Sequence, residues 1–160
     1  SAGGGAIRRG LALDVLGGPG VIAAAARLAA EATRLAIVID HAGNLRIDGK
    51  PPPGDWRETM AAAAKLPNVR CKVSALVENT AAKPAPRDVD YYRPVLDALW
   101  DLFGEDRLLF GSNWPIWTRQ NSFADVVGVV RDYWAGKGDA VARKFFRGNA
   151  IATYGLAADR

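Results

Sequence analysis

Four short apolar runs punctuate the chain: Leu11–Leu16 (LALDVL), Leu35–Asp40 (LAIVID), Val69–Leu76 (VRCKVSAL) and Leu108–Ser112 (LLFGS). None alternates cleanly between apolar and polar positions, which predicts parallel strands covered on both faces. Between and after them lie helical patterns. GGPG leads into an Ala-rich helix over Val21–Thr33, and Asp55 with Glu58 reads as a capping box opening Trp56–Lys65. Asp90 precedes Tyr91–Phe103, which Gly104 stops; Ser122 with Asp125 opens Phe123–Trp134; a last helix over Asp139–Arg147 ends at Gly148. Strand-helix alternation of this kind predicts an α/β fold built on a parallel sheet with right-handed crossovers. Two long loops, Gly43–Gly54 and Glu78–Val89, both follow strands. In parallel α/β architectures those loops gather at the carboxyl ends of the sheet and carry function.

Composition changes this picture little. The chain has 160 residues, 49% of them apolar and 24% charged, enough for one buried domain with no internal linker. The net charge of +4 raises the question of an anionic partner, but the basic residues are spread along the chain. Their nearest cluster, Arg143, Lys144 and Arg147 beside Phe145 and Phe146, reads as a solvated helix face, so no nucleic-acid partner is expected. The single Cys71 cannot form an internal disulfide and reads as a small buried hydrophobe. No apolar run is long enough for a membrane span or a signal peptide, so the expected location is cytoplasmic. The start, SAGGG, lacks an initiator Met and reads as a processed or fragmentary beginning.

Candidate chemistry collects at the carboxyl ends of the strands: Asp14, then Asp40-His41, then Lys72 and Ser74, then Ser112-Asn113. Successive strand residues face opposite ways, so only one of Asp40 and His41 should face the site while strand geometry lasts. His41, the sole histidine, suits general acid-base work or metal ligation, but one His cannot hold a catalytic metal alone. Lys72 reads either as a snorkelling residue or as an inward cation for an anionic substrate. Ser74 and Ser112 lack a neighbouring base and a G-x-S-x-G elbow, so they are candidate substrate contacts rather than nucleophiles. Trp114, with Trp56 and Trp117, could wall a pocket, although most Trp residues serve as core or rim. Arg46 is a further candidate for receiving a carboxylate. The stretch LLFGSNWP poses the sharpest question, because it delivers Asn113 to the mouth and an amide cannot transfer protons near neutral pH.

IVIDHAGN (37–44), NVRCKVSAL (68–76), YYRPVLDALWDLFGEDRLLFGSNWP (91–115) and FFRGNAIATYGL (145–156) together resemble the amidohydrolase-related TIM-barrel hydrolases. That branch includes sugar-acid lactonases and pyrone-dicarboxylate hydrolases. The resemblance spans residues 10–156 and implies a (β/α)8 barrel, of which these strands would be the fifth to eighth. The chain would then be one partial domain, the carboxyl-terminal half, lacking the amino-terminal half and its His-x-His pair. It implies a hydrolase in the full-length protein, opening a small carboxylated lactone, ester or amide, with the 160-residue piece inactive alone. It further implies one divalent metal, Zn or Mn, in metal-dependent members, others working without one, with His41 as the ligand on this chain. His41 matches the family's active-site His, and Asn113 falls where the family has the Asp of F-G-S-D-W-P, its general base. That departure leaves three readings: another group supplies the base, Asn113 orients water or substrate, or the barrel is a non-catalytic binding or scaffold protein. Two unpaired sheet edges in a half-barrel would favour self-association, so a homo-oligomer is among the expectations.

Overall fold

A computed structural model describes residues 10–119 and 121–157. The Gly-rich start at Ser1–Gly5 lies outside them. Four strands form one parallel sheet in the order β1 (Ala12–Val15), β2 (Ala36–Ile39), β3 (Val69–Val73) and β4 (Leu108–Phe110). Each runs into a helix: α1 (Pro19–Glu31), α2 (Gly54–Ala64), α3 (Val89–Phe103) and α4 (Phe123–Ala135). The repeating β/α units and the parallel pairing are those the apolar pattern predicts.

The register assigns the two sheet faces. Ile37, Ile39, Val69, Cys71, Val73 and Leu108 face the helices, and all are buried in one continuous apolar cluster with Trp56, Leu96, Leu99 and Trp134. Burying such side chains supplies about 1.5–3 kcal/mol each before the ordering entropy is subtracted. Burial also pushes the Cys71 thiol well above its ordinary value. The alternate positions, Asp14, Val38, Arg70, Lys72 and Leu109, project to the opposite face.

The helix ends differ from expectation where local signals met stronger neighbours. The capping box at Ser122 and Asp125 forms, and Gly104 stops α3 with a φ of 65°. The one expected at Asp55 and Glu58 does not, because the helix begins at Gly54 after Pro53, and Asp55 sits inside its first turn. Asp88, rather than Asp90, caps α3 by accepting the Asp90 N–H at 2.9 Å. The last helix is broken in three: α5 (Asp139–Arg143), a π-turn over Lys144–Gly148, and α6 (Asn149–Tyr154). The break lets Phe145 stack on Trp134 with ring centroids 3.7 Å apart. It also lets Asn149 donate to the Glu105 and Leu108 carbonyls at 2.7 and 2.8 Å.

The amino ends of the strands are stapled by side chains that satisfy backbone carbonyls. Asn68 donates to Ala29, Ala32 and Leu35 carbonyls between 2.9 and 3.2 Å. Arg107 spreads its guanidinium over the carbonyls of Ala64, Leu66, Val69 and Leu102. These bonds satisfy helix and strand ends that burial would otherwise penalise. The polar candidates sit at the other, carboxyl ends.

Candidate active site

The second strand ends abruptly. After Asp40, in extended backbone, His41, Ala42, Gly43 and Asn44 all adopt positive φ, between 51° and 69°. Four left-handed residues in a row are costly for any L-amino acid except Gly, at about 1–2 kcal/mol per residue. The turn is held by packing: Trp56 Nε1 donates to the Ala42 carbonyl at 2.9 Å. Gly43 N donates to the Asp40 carbonyl at 3.0 Å. A Cβ on Gly43 would lie 2.8 Å from Ile22 Cδ1 and 3.0 Å from Trp56 Nε1, so this position has neither the φ nor the space for a side chain.

The turn alters how the strand presents its end. Asp40 turns toward β3, while His41 reaches Ser74, its Nδ1 sharing a 2.6 Å hydrogen bond with Oγ. Both residues therefore stand at the same mouth, because the strand geometry that would have separated them stops at Ile39.

Lys72, on β3, is engaged by acidic neighbours. Its Nζ lies 2.6 Å from Asp14 Oδ2 and 2.8 Å from Asp40 Oδ1. The Asp40 contact is an ion pair without hydrogen-bond alignment, so the buried Oδ1 has no hydrogen-bond donor among the described residues. Tyr154 from α6 donates its hydroxyl to Asp14 at 2.8 Å, placing its ring 5.6 Å from Lys72 Nζ. Burial lowers the Lys72 pKa, but the Asp14, Asp40 and Tyr154 partners outweigh it and hold the amine above its ordinary value. Tyr154 is pushed up to about 12 by burial and by the Asp14 carboxylate, against Lys72. The cluster places two carboxylates against one ammonium on the face opposite the helices.

The fourth strand brings the last candidates. Gly111 leaves room for the neighbouring strand: a Cβ there would meet Lys72 Cδ at 2.9 Å and Ser74 Cβ at 3.0 Å. Asn113 follows with a φ of 56°, a conformation that Asn tolerates better than most residues. Its Nδ2 donates to Glu78 Oε1 at 2.7 Å. Ser112 Oγ accepts the Trp114 N–H at 3.3 Å, and the Trp114 ring is 71% exposed. Trp56 and Trp117 are core residues instead.

Two cross-strand pairs thus line the carboxyl ends, His41 with Ser74 and Glu78 with Asn113. Glu78 is the residue that sequence reading passed over, as the first residue of a long loop. The only local signal for it was an acid shortly after the K-V-S strand. Arg46 lines a separate shallow cavity with Asn44, Asn79, Thr80, Ala81 and Lys83. A surface cavity of about 650 Å³ is lined by α5, the π-turn and α6, and by none of the mouth residues. Among the described residues, no three His, Cys, Asp or Glu side chains converge to hold a metal ion. His41 would be a single ligand, and these residues alone do not complete a metal site.

The sequence model of the amidohydrolase family matches residues 6–156, which take in every strand of this sheet and its mouth. The chain belongs to the amidohydrolase family. An L-fucono-1,5-lactonase of Burkholderia ambifaria is 38% identical over 120 residues, covering 72% of this chain and 38% of the lactonase. One from Burkholderia multivorans is 32% identical, covering 75% of this chain and 43% of its own length. An amidohydrolase of Burkholderia multivorans solved with bound HEPES superposes with a TM-score of 0.83 at 28% identity, covering 97% of this chain. The chain spans 56% of that structure, and a second crystal form of the relative holds zinc, with a TM-score of 0.83. The four β/α units described here thus account for about half of an amidohydrolase barrel. No helix among the described residues is long and apolar enough to cross a membrane.

Proposed function

We propose that this chain forms part of a hydrolase that opens small sugar lactones. The observation that carries the reading is the strand-end mouth of an amidohydrolase, with His41 on Ser74 and Asn113 on Glu78. The names of the two lactonase relatives support the substrate class. The 56% coverage of a solved relative, with β1 and β4 as the two edges of the sheet, supports completion of the barrel by further β/α units.

In this reading His41 is the acid-base group: Ser74 holds Nδ1 and fixes the ring, leaving Nε2 for a substrate proton. Asn113 orients the mouth rather than transferring protons. Lys72 is held by Asp14 and Asp40, so its charge reaches a substrate carboxylate only in competition with them. Ser74, Ser112 and Trp114 complete the substrate contacts. The zinc in the solved relative supports a divalent ion in the assembled protein; His41 Nε2 would be the donor from this chain, in place of its acid-base role.

The test is lactone hydrolysis by the intact protein that carries this chain, assayed on a panel of aldonolactones. His41→Ala is expected to lower kcat by about 10²–10⁴-fold, the usual range for a lost acid-base group. Unchanged turnover would remove His41 from the chemistry.

A further inference from the structure

Asn113 brings no carboxylate to the mouth, but Glu78 stands against it with one. Glu78 lies five residues past Val73, the end of β3, and its Oε1 accepts the Asn113 amide at 2.7 Å. Its second oxygen, Oε2, is buried and meets no donor among the described protein groups. A buried carboxylate oxygen without a partner is costly, and such exceptions call for a cause. A carboxylate oxygen accepts here and the Asn113 nitrogen donates.

We propose that Glu78 is the general base that activates water, and that Asn113 is the positioning residue that holds it. The assignment rests on the hydrolase reading above and adds a base toward water, with His41 Nε2 carrying the proton on to the leaving oxygen. Asn113 fastens Oε1, which leaves Oε2 to take a proton. The same geometry accounts for asparagine at this position. An aspartate at 113 would place two carboxylates within hydrogen-bond distance, where they cannot both ionise freely. Asparagine keeps the contact and leaves a single negative charge on Glu78. A carboxylate is thereby kept beside residue 113, moved from the end of β4 to the turn after β3. The surroundings are otherwise sparing in charge. Lys83 Nζ binds the Glu78 backbone carbonyl at 3.1 Å rather than the carboxylate. Tyr92 on α3 is held protonated by burial, by Tyr91 and by Glu78 itself.

The step balances as follows. Glu78 takes a proton from water as the water oxygen bonds to the lactone carbonyl carbon, giving a tetrahedral oxyanion. Collapse breaks the bond to the ring oxygen, which receives that proton by way of His41 Nε2 and becomes the product hydroxyl. The new carboxylic acid ionises to solvent, and Glu78 returns to its carboxylate form.

Glu78→Gln separates base from brace, because its amide oxygen still accepts the Asn113 N–H. In the intact protein this variant should lose about 10²–10⁴-fold in kcat with KM nearly unchanged. Glu78→Ala should be similarly slow and should recover at least about tenfold in added formate, a small carboxylate able to occupy the vacated place. A structural brace would not produce that rescue. Turnover by Glu78→Gln within tenfold of the unaltered protein overturns the assignment, as does a slow Glu78→Ala that formate leaves slow. If Glu78→Gln fails to fold, the formate experiment decides alone. An unaltered protein inactive on every lactone sinks the hydrolase reading and this assignment with it. An active one with a fully active Glu78→Gln sinks the assignment only.

Discussion

Gly43 shows how a single residue sets the direction of a catalytic candidate. Its φ of 69° and its contacts with Ile22 and Trp56 keep the His41–Asn44 turn left-handed, so His41 meets Ser74 rather than continuing along β2. Gly43→Ala should cost about 2–3 kcal/mol, combining left-handed backbone strain with crowding of a packed site. Chemical denaturation of the variant measures it. A loss under half a kcal/mol would show that the turn relaxes freely. The His41 turn was not legible in the sequence. Ala42 and Asn44 carry no local signal for positive φ strong enough to outweigh the strand pattern, and Trp56, which pins the turn, lies 14 residues from Ala42. Asn113 and Glu78 are likewise 35 residues apart, so pattern alone could not pair them.

At the scale of elements, the β/α alternation was readable because each strand and helix declares itself through its own period. The Ser122 cap was readable for the same reason, since both partners sit within one turn. The final helix was not. It extends to Tyr154 because Asn149 caps the β4 entry and Tyr154 reaches Asp14 on β1, contacts made across 41 and 140 residues. That link between the last helix and the first strand has a pH signature. Burial and Asp14 push Tyr154 up to about 12 in the folded chain, against about 10 when unfolded. A raised pKa stabilises the fold fully below the unfolded value, and the contribution drains away as pH rises from about 10 toward 12. Stability should therefore fall across that window, and Tyr154→Phe should flatten the slope there. Lys72, also raised, titrates in the same direction, so the slope should shrink rather than vanish. An identical slope in the variant would mean that the Tyr154–Asp14 bond does not form in solution.

For the molecule as a whole, the two ends of the sheet divide the labour. Asn68, Arg107 and Asn149 tie backbone together at the amino ends, and His41, Ser74, Glu78 and Asn113 spend their polar groups on one another at the carboxyl ends. Between those ends lies Cys71, fully buried beneath the mouth, with Asp40 and Lys72 beside it. Its thiol thus serves as a clock. A thiol reagent can reach it only when the β3 region opens, so the labelling rate at neutral pH counts openings of the sheet centre rather than fluctuations of the rim. The rate should rise steeply with urea, in step with global unfolding, and should be hastened by Gly43→Ala. Labelling that proceeds rapidly and ignores urea would show that the centre breathes on its own, and that the strands beneath the mouth are looser than their packing implies.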